Sequence, residues 1–387
     1  VIWSDLSVPT LIFNVYLTGY DVATINLRDI FVAPGNLPRT ASVGQDPGDQ
    51  ISNQGDFSQD INFASCNGFL PTPSLEVISQ QQGVDYIAHL QAAHTGQPSP
   101  ILLVGGAPGC AGQRLNDRIA RGYITVDTVN ACNLDLPFTP GYFINGGAGT
   151  ATNQNVLWGD YFYVNSAENF AQGETLVHIE AAPGVGVNAG QGSYAINPET
   201  GTPGEYTFYG RYVAWSAADN REALATNFAA RFLNGGTFDG GTSLAVWRDS
   251  KVNQGAFTCP AVAGVRPAWY PLGQEALVVF DEQENPSVVV PSPVAPAPPS
   301  PNAIPFPAEA NRALVGGPAF PVPFTFGWIY LNLNQTSVVA GPNPPEDPLA
   351  AQAWVTAIHD AQGRFSVGYN ATMLDSAGNA LHFTPGP

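Results

Sequence analysis

The chain has 387 residues, 44% of them hydrophobic and only 11% charged, with a formal net charge of -18 at pH 7. That hydrophobic share excludes a disordered polymer, and the charge excludes a nucleic-acid or anionic-membrane partner, since a phosphate surface repels it and no basic patch interrupts it. No apolar run reaches the ~20 residues of a membrane helix, and 41 glycines with 35 prolines speak against the long alternating strands of a membrane barrel.

The acid excess comes from missing bases: Lys+Arg total 13 against 31 for Asp+Glu, and Lys251 is the single lysine. With so few charges, Asn, Gln, Ser, Thr and Gly/Pro loops must make the surface polar. The chain opens at Val1, and Met373 is its one methionine. Together with four cysteines, this predicts a processed and exported protein, secreted or held at the cell surface.

In chain order, the first element is an apolar stretch from Val1 to Tyr20, with a strand expected over Thr10–Leu17. Leu11, Ile12, Phe13, Val15 and Tyr16 are candidates for an assembly arm that adds to a neighbour's sheet edge. The next segment is acidic. Asp46, Asp49, Asp56 and Asp60, with Asn53 and Gln54 among them, offer the hard oxygens calcium prefers, although such loops are ordinarily just solvated. Val84–Ala93 is an ambiguous helix; His89 lies within it and His94 just after it, and their five-residue spacing suits no single helical face.

Leu102 to Gly112 imitates a strand and phosphate loop, but Gln113 and Arg114 stand where a lysine and a hydroxyl are needed. A glycine turn beside a cystine is the plainer reading, followed by a short helix over Gln113–Arg121. Strands are expected at Tyr123–Val129, Tyr161–Val164, Thr175–Glu180, Tyr206–Val213, Ser243–Trp247 and Ala276–Phe280, each rich in β-branched and aromatic residues and bounded by turn formers. His178 and Glu180 share a strand face without a third partner for metal or acid–base work. Gly184 to Ala189 imitates a dinucleotide loop, but no helix can follow it. The main helix is expected over Asp219–Leu233, with a capping box of Asp219 and Glu222 and a stripe of Leu224, Phe228 and Phe232. Asp281–Glu284 is a second, weaker calcium candidate.

Residues 286–308 read as an extended proline strut. This divides the chain into an N-terminal β domain (1–165), a second β subdomain with the 219–233 helix (166–285), the linker, and a small C-terminal β module (309–387). The clearest hairpin joins Trp354–His359 to Arg364–Tyr369 through Gly363. Asn334 and Asn370 fit the glycosylation pattern.

Cys66, Cys110, Cys132 and Cys259 contain no CxxC pair. The expected pairing is Cys110 with Cys132, closing a short loop, and Cys66 with Cys259 by elimination. Aromatic residues cluster around Trp158, Trp215 and Trp269, where they can stack on sugars or fill a core. No HExxH, no Gly-x-Ser-x-Gly and no identifiable carboxylate pair occurs.

The expected fold is mainly β: antiparallel sandwich-like domains with one or two short helices. The expected function is that of a non-catalytic extracellular structural protein that self-associates into a homo-oligomer or polymer, such as a layer or filament. The alternatives are a secreted carbohydrate-binding or glycan-active protein, and an adhesin stabilised by calcium as its cofactor.

Overall fold

The computed structural model describes residues 1–15, 17, 22–32, 80–131, 133–136, 142, 148–152, 154, 156–181, 206–212, 221–248, 255–259, 270–274, 276–290, 305–333 and 353–376. It is mainly β, with several antiparallel sheets and two α-helices among the described residues. The chain divides into two compact units: Val1–Gln154 with Asn188–Tyr194 and Asn253–Pro267, and Asn155–Val187 with Ala195–Val252 and Ala268–Pro387.

The first unit begins with β1 (Ile2–Ser4), β2 (Pro9–Leu11), α1 (Leu27–Val32) and α2 (Gln80–His94). It continues through β3 (Ser99–Val104), β4 (Ala107–Cys110) and β5 (Gly122–Ile124). Ile87 and Leu90 on α2 meet Ile2, Leu11 and Ile30 in one apolar cluster. Their three-residue spacing on α2 is helical, so the ambiguous segment resolves as a helix because a buried stripe is there to hold it. The phosphate-loop imitation is a β3–β4 hairpin: Gly105 and Gly106 have φ of +60° and +82°. A two-residue turn with both central residues at positive φ fits the twist of the flanking strands. The helix expected after it is absent; 113–121 is irregular. It is held by Asp5, whose carboxylate accepts from the Gln113 amide and side chain, and by the Arg121–Asp117 ion pair.

The second unit contains β6 (Asp160–Asn165), β7 (Phe170–Thr175), β8 (His178–Ala181), β9 (Tyr206–Tyr212), β10 (Arg221–Ala223), β11 (Ala225–Leu233) and β12 (Gly241–Arg248). The chain then returns to the first unit for β13 (Phe257–Thr258), which pairs with β4. Back in the second unit come β14 (Ala276–Phe280), β15 (Pro286–Val290), β16 (Ala310–Leu314), β17 (Phe326–Asn332), β18 (Ala353–Ala361), β19 (Phe365–Asn370) and β20 (Thr372–Ser376). A five-stranded sheet runs β15-β14-β17-β11-β20, and a six-stranded one β16-β12-β18-β19-β7-β6. Between them Phe228, Phe232, Leu277, Val279, Ile329 and Leu331 from the first sheet meet Leu244, Val246, Val355 and Ala357 from the second. This is a sandwich core fed by alternate residues of each strand.

Two expectations are overturned here. The helix expected over Asp219–Leu233 is instead β10 and β11. Phe228, Ala230 and Phe232 are buried while Arg231 is exposed, a period of two. Four-residue spacing of large apolar side chains is one helical turn, but it is also two full strand periods. The five-stranded sheet, in which β11 is flanked on both sides, decides for strand. The C-terminal segment is not a separate module either. β16 and β18 flank β12, while β17 sits between β14 and β11, so residues 310–376 complete both sheets. The ends of the proposed strut belong to the same fold: Pro286 opens edge strand β15, where its missing N–H is tolerated, and Phe306 is fully buried. The proline run at 291–304 lies outside the described residues. The β18–β19 hairpin forms as expected, with Gly363 at φ +71°.

Candidate functional site

The most distinctive surface lies at one end of the six-stranded sheet. Among the described residues β6 is an edge strand, paired with β7 alone. On β18, Val355 and Ala357 face the sandwich core, with His359 and Ala361 on the same side, and the register partners of Ala357, His359 and Ala361 extend that face to Tyr369, Val367 and Phe365 on β19. Pairing of Val367 with Ala171, and of Ala171 with Val164, carries it across β7 to β6, where Phe162 also lies on it. These side chains ought to be buried, yet Phe162 is 71% exposed, Val164 70%, and Phe365 and Val367 45% each. The five-stranded sheet does not reach over them. Trp158, just before β6, is 77% exposed.

The opposite face explains how this comes about. Gln172 on β7 lies across Gly368, where a Cβ would collide with the Gln172 side chain. Gln172 donates weakly to the Tyr161 hydroxyl (3.4 Å), which also hydrogen-bonds Thr356 on β18. A flat sheet would separate β6 from β18 by roughly 14 Å, three strand spacings. The β6–β7 ribbon therefore curls toward this outer face. Thr356 and Ile358 are buried on it, at 3% and 5% exposure. Burial pushes the Tyr161 hydroxyl pKa up. Curling closes one side and turns the apolar side of β6 outward.

The edge has little of the usual protection. Asp160 is the only charged residue among Asp160–Asn165, and there is neither lysine nor proline to repel another strand. At the far edge, β16 carries exposed Arg312.

Most buried polar groups elsewhere have structural partners; the exceptions among the described residues are Asn14 Nδ2, Arg248 Nε and both amide atoms of Gln274. His89 and His94 both reach Thr10: His89 Nε2–H donates to its carbonyl at 3.1 Å, and His94 Nε2 lies 2.8 Å from its hydroxyl. Sequence spacing alone did not suggest this meeting, because the two rings approach β2 from different sides of α2. Ser99 donates to His89 Nδ1 at 2.7 Å, an arrangement shared with activated nucleophiles. Ser99 is fully buried, so no substrate reaches it. Burial lowers both imidazole pKa values, His94 to about 4. Desolvation raises the Asp5 carboxyl to about 7 against the bonds it accepts from Gln113. In the second unit, His359 bridges the hydroxyls of Thr242 and Tyr369, each at 2.9 Å. Among the described residues, no three His, Cys, Asp or Glu side chains gather in a metal-holding group.

The cysteine pairing differs from expectation: Cys110 is bonded to Cys259, so neither Cys110–Cys132 nor Cys66–Cys259 forms. The physical reason is the β13–β4 pairing, which sets Phe257 opposite Cys110 and brings Cys259 within 4.9 Å, Cα to Cα. Cys66 and Cys132 lie outside the described residues. So do Asp46, Asp49, Asp56 and Asp60, as well as Trp215, Trp269, Asn334 and the Gly184–Ala189 loop. The second acidic loop satisfies itself: Asp281 accepts from the Gln283 and Asn285 amides and from Asn285 Nδ2. His178 and Glu180 stand on β8 as expected. Asn370 sits in β19, with its Oδ1 accepting from Thr356 at 3.3 Å.

Of the assembly-arm residues, Leu11 and Ile12 are buried and Phe13 packs against the first unit's own core. Val15 is half-buried, and Tyr16 lies outside the described residues. The arm serves its own chain: Ile2 pairs with Leu11 and with Ile124. The exposed edge at β6 is not among the sequence candidates for assembly, although Tyr161–Val164 reads as a strand. No protein-family model matches the chain, and no curated protein or solved structure is significantly similar to it.

Proposed function

We propose that this protein is a non-catalytic structural subunit that works outside the cell by self-association. The observation that carries the reading is the exposed apolar face of β6, β7 and β19, bounded by an unprotected strand edge. Contiguous apolar surface of this kind, displayed by a folded protein, characterises interaction sites. The low charge density supports the same reading, since sparsely charged surfaces cost little to desolvate between copies. The Cys110–Cys259 bond supports work in an oxidising compartment.

Sedimentation velocity across a concentration series, with negative-stain imaging of the concentrated sample, tests the proposal. Mass growing with concentration, and layers, filaments or closed oligomers on the grid, is the expected result. A protein that remains monomeric at the highest soluble concentration would remove it.

A second reading, a glycan-binding surface, is favoured by one observation, the exposed Trp158 ring. Exposed indoles stack on the apolar faces of sugars. A glycan array on which the wild-type protein binds, and Trp158→Ala does not, would favour it.

A further inference from the structure

We infer that β6 pairs antiparallel with β6 of a second copy, about a two-fold axis through Tyr163. The inference rests on the self-association reading above and names its interface. A strand edge presents unpaired amide and carbonyl groups in register, and another strand is the occupant that satisfies them all. A second copy is favoured because the sequence of β6 is complementary to itself in one register.

The register follows from parity. A two-fold axis normal to the sheet keeps each face on its own side, and residues directly opposite in an antiparallel pair share a face. Phe162 can therefore meet the partner's Phe162 or Val164, but not the partner's Tyr163. An axis through Tyr161 sets Asp160 against the partner's Phe162. An axis through Phe162 sets Asp160 against the partner's Val164. Both place a carboxylate against an apolar side chain. An axis through Val164 leaves Phe162 opposite Ser166, beyond the strand, and pairs little of β6. The axis through Tyr163 pairs Phe162 with the partner's Val164 twice, stacks the two Tyr163 rings and sets Tyr161 beside the partner's Asn165. Asp160 then lies opposite Ser166, past the end of the paired strand.

Pairing in this way joins the two six-stranded sheets edge to edge. It brings the exposed Phe162 and Val164 of each copy into one apolar strip that continues to Val367 and Phe365 on both sides. Phe162 and Val164, the most exposed members, gain the most cover.

The test uses the full chain. Val164→Lys places a charge opposite the partner's Phe162, and because Val164 is 70% exposed it should leave thermal unfolding of the monomer unchanged. Its dissociation constant for self-association, from sedimentation equilibrium, should rise at least tenfold. Tyr163→Cys should form a disulfide dimer under mild oxidation, identified by mass spectrometry as a 163–163 peptide. Phe162→Cys should not, because in this register the two copies of residue 162 are diagonal neighbours about 7–8 Å apart, too far for a disulfide. Wild-type association unaffected by Val164→Lys, with no 163–163 link, overturns the interface while leaving self-association standing. Cross-linking of the Phe162→Cys variant equal to that of Tyr163→Cys overturns the register. A wild-type protein that never leaves the monomer removes both.

Discussion

Replacing Arg248 with methionine should be the most damaging single change in the second unit. Arg248 is fully buried at the end of β12. Its Nη1 donates to the carbonyls of Phe306 (2.8 Å) and Leu272 (3.4 Å), and its Nη2 to those of Leu333 (2.7 Å) and Gly273. Those four carbonyls lie on three separate chain segments: the approach to β14, the return from the proline run and the exit from β17. One side chain thus fastens all three. Burial lowers its pKa to about 9, which still leaves it charged at neutral pH. Methionine fills much of the same space without a donor, so four buried carbonyls lose their partner at about 1–3 kcal/mol each. Relief from burying the charge returns several kcal/mol. The net expected loss is about 3–5 kcal/mol, the four unpartnered carbonyls less the returned desolvation. Arg248→Lys, with three donors on a point charge, should fall between. Urea unfolding, combined with amide exchange in β12 and β14 to read this unit alone, measures it. A loss below about 1 kcal/mol for Arg248→Met would show that the carbonyls find other partners and that the clamp is dispensable.

Two further predictions concern the first unit. His94 has its pKa lowered to about 4 from 6.5, so the folded state favours the neutral ring. Its contribution is present above pH 6.5 and lost as pH falls toward 4, by about 3 kcal/mol when the shift is converted at 1.36 kcal/mol per unit. His94→Gln should flatten the acid limb of a stability–pH curve, and an unchanged slope would remove His94 as its source. The Cys110–Cys259 bond closes a separation of 149 residues, for which chain-entropy reasoning gives a ceiling of about 5 kcal/mol. The double variant Cys110→Ala/Cys259→Ala should lose about 2–5 kcal/mol and expose β13 to proteolysis. Protection of β13 equal to that of the wild type would show that the β4–β13 pairing holds without the bond.

The fold class was legible because strand signals are local. β6, β12, β14 and the β18–β19 hairpin announce themselves through β-branched and aromatic runs between turn formers. The Asp219–Leu233 segment misleads because a four-residue repeat satisfies both periods, and only its neighbours in the sheet choose. The cystine was illegible for a related reason. Cys259 reaches Cys110 through a β13–β4 pairing of two residues per strand, made after the chain has passed through β6–β12, half of the second unit's strands. Loop length favours the nearer partner, but strand pairing across the chain overrides it. The same limit hides the candidate interface. Tyr161–Val164 reads correctly as a strand, but whether a strand is central or at an edge depends on what pairs beside it, and the exposure of Phe162 depends on how far the opposite sheet extends. Trp158 shows this too: as sequence it suits a core as well as a surface.

The charge then acquires a role that composition alone does not show. Natural edge strands are commonly protected by local lysine or proline, and β6 has neither. The chain carries -18 overall, so two copies repel at a distance even though their edges are complementary. The protection is long-ranged where it is usually local, and salt removes it. The Debye length shrinks from about 30 Å at 0.01 M ionic strength to about 10 Å at 0.1 M. Association through β6 should therefore tighten as sodium chloride rises over that range, mainly through a faster on-rate, because repulsion acts on encounter and the buried strip governs dissociation. Sedimentation and stopped-flow mixing at the two salt levels separate these effects. Association that weakens with salt would mean that opposite charges hold the copies together, and the apolar edge would lose its place as the driving contact.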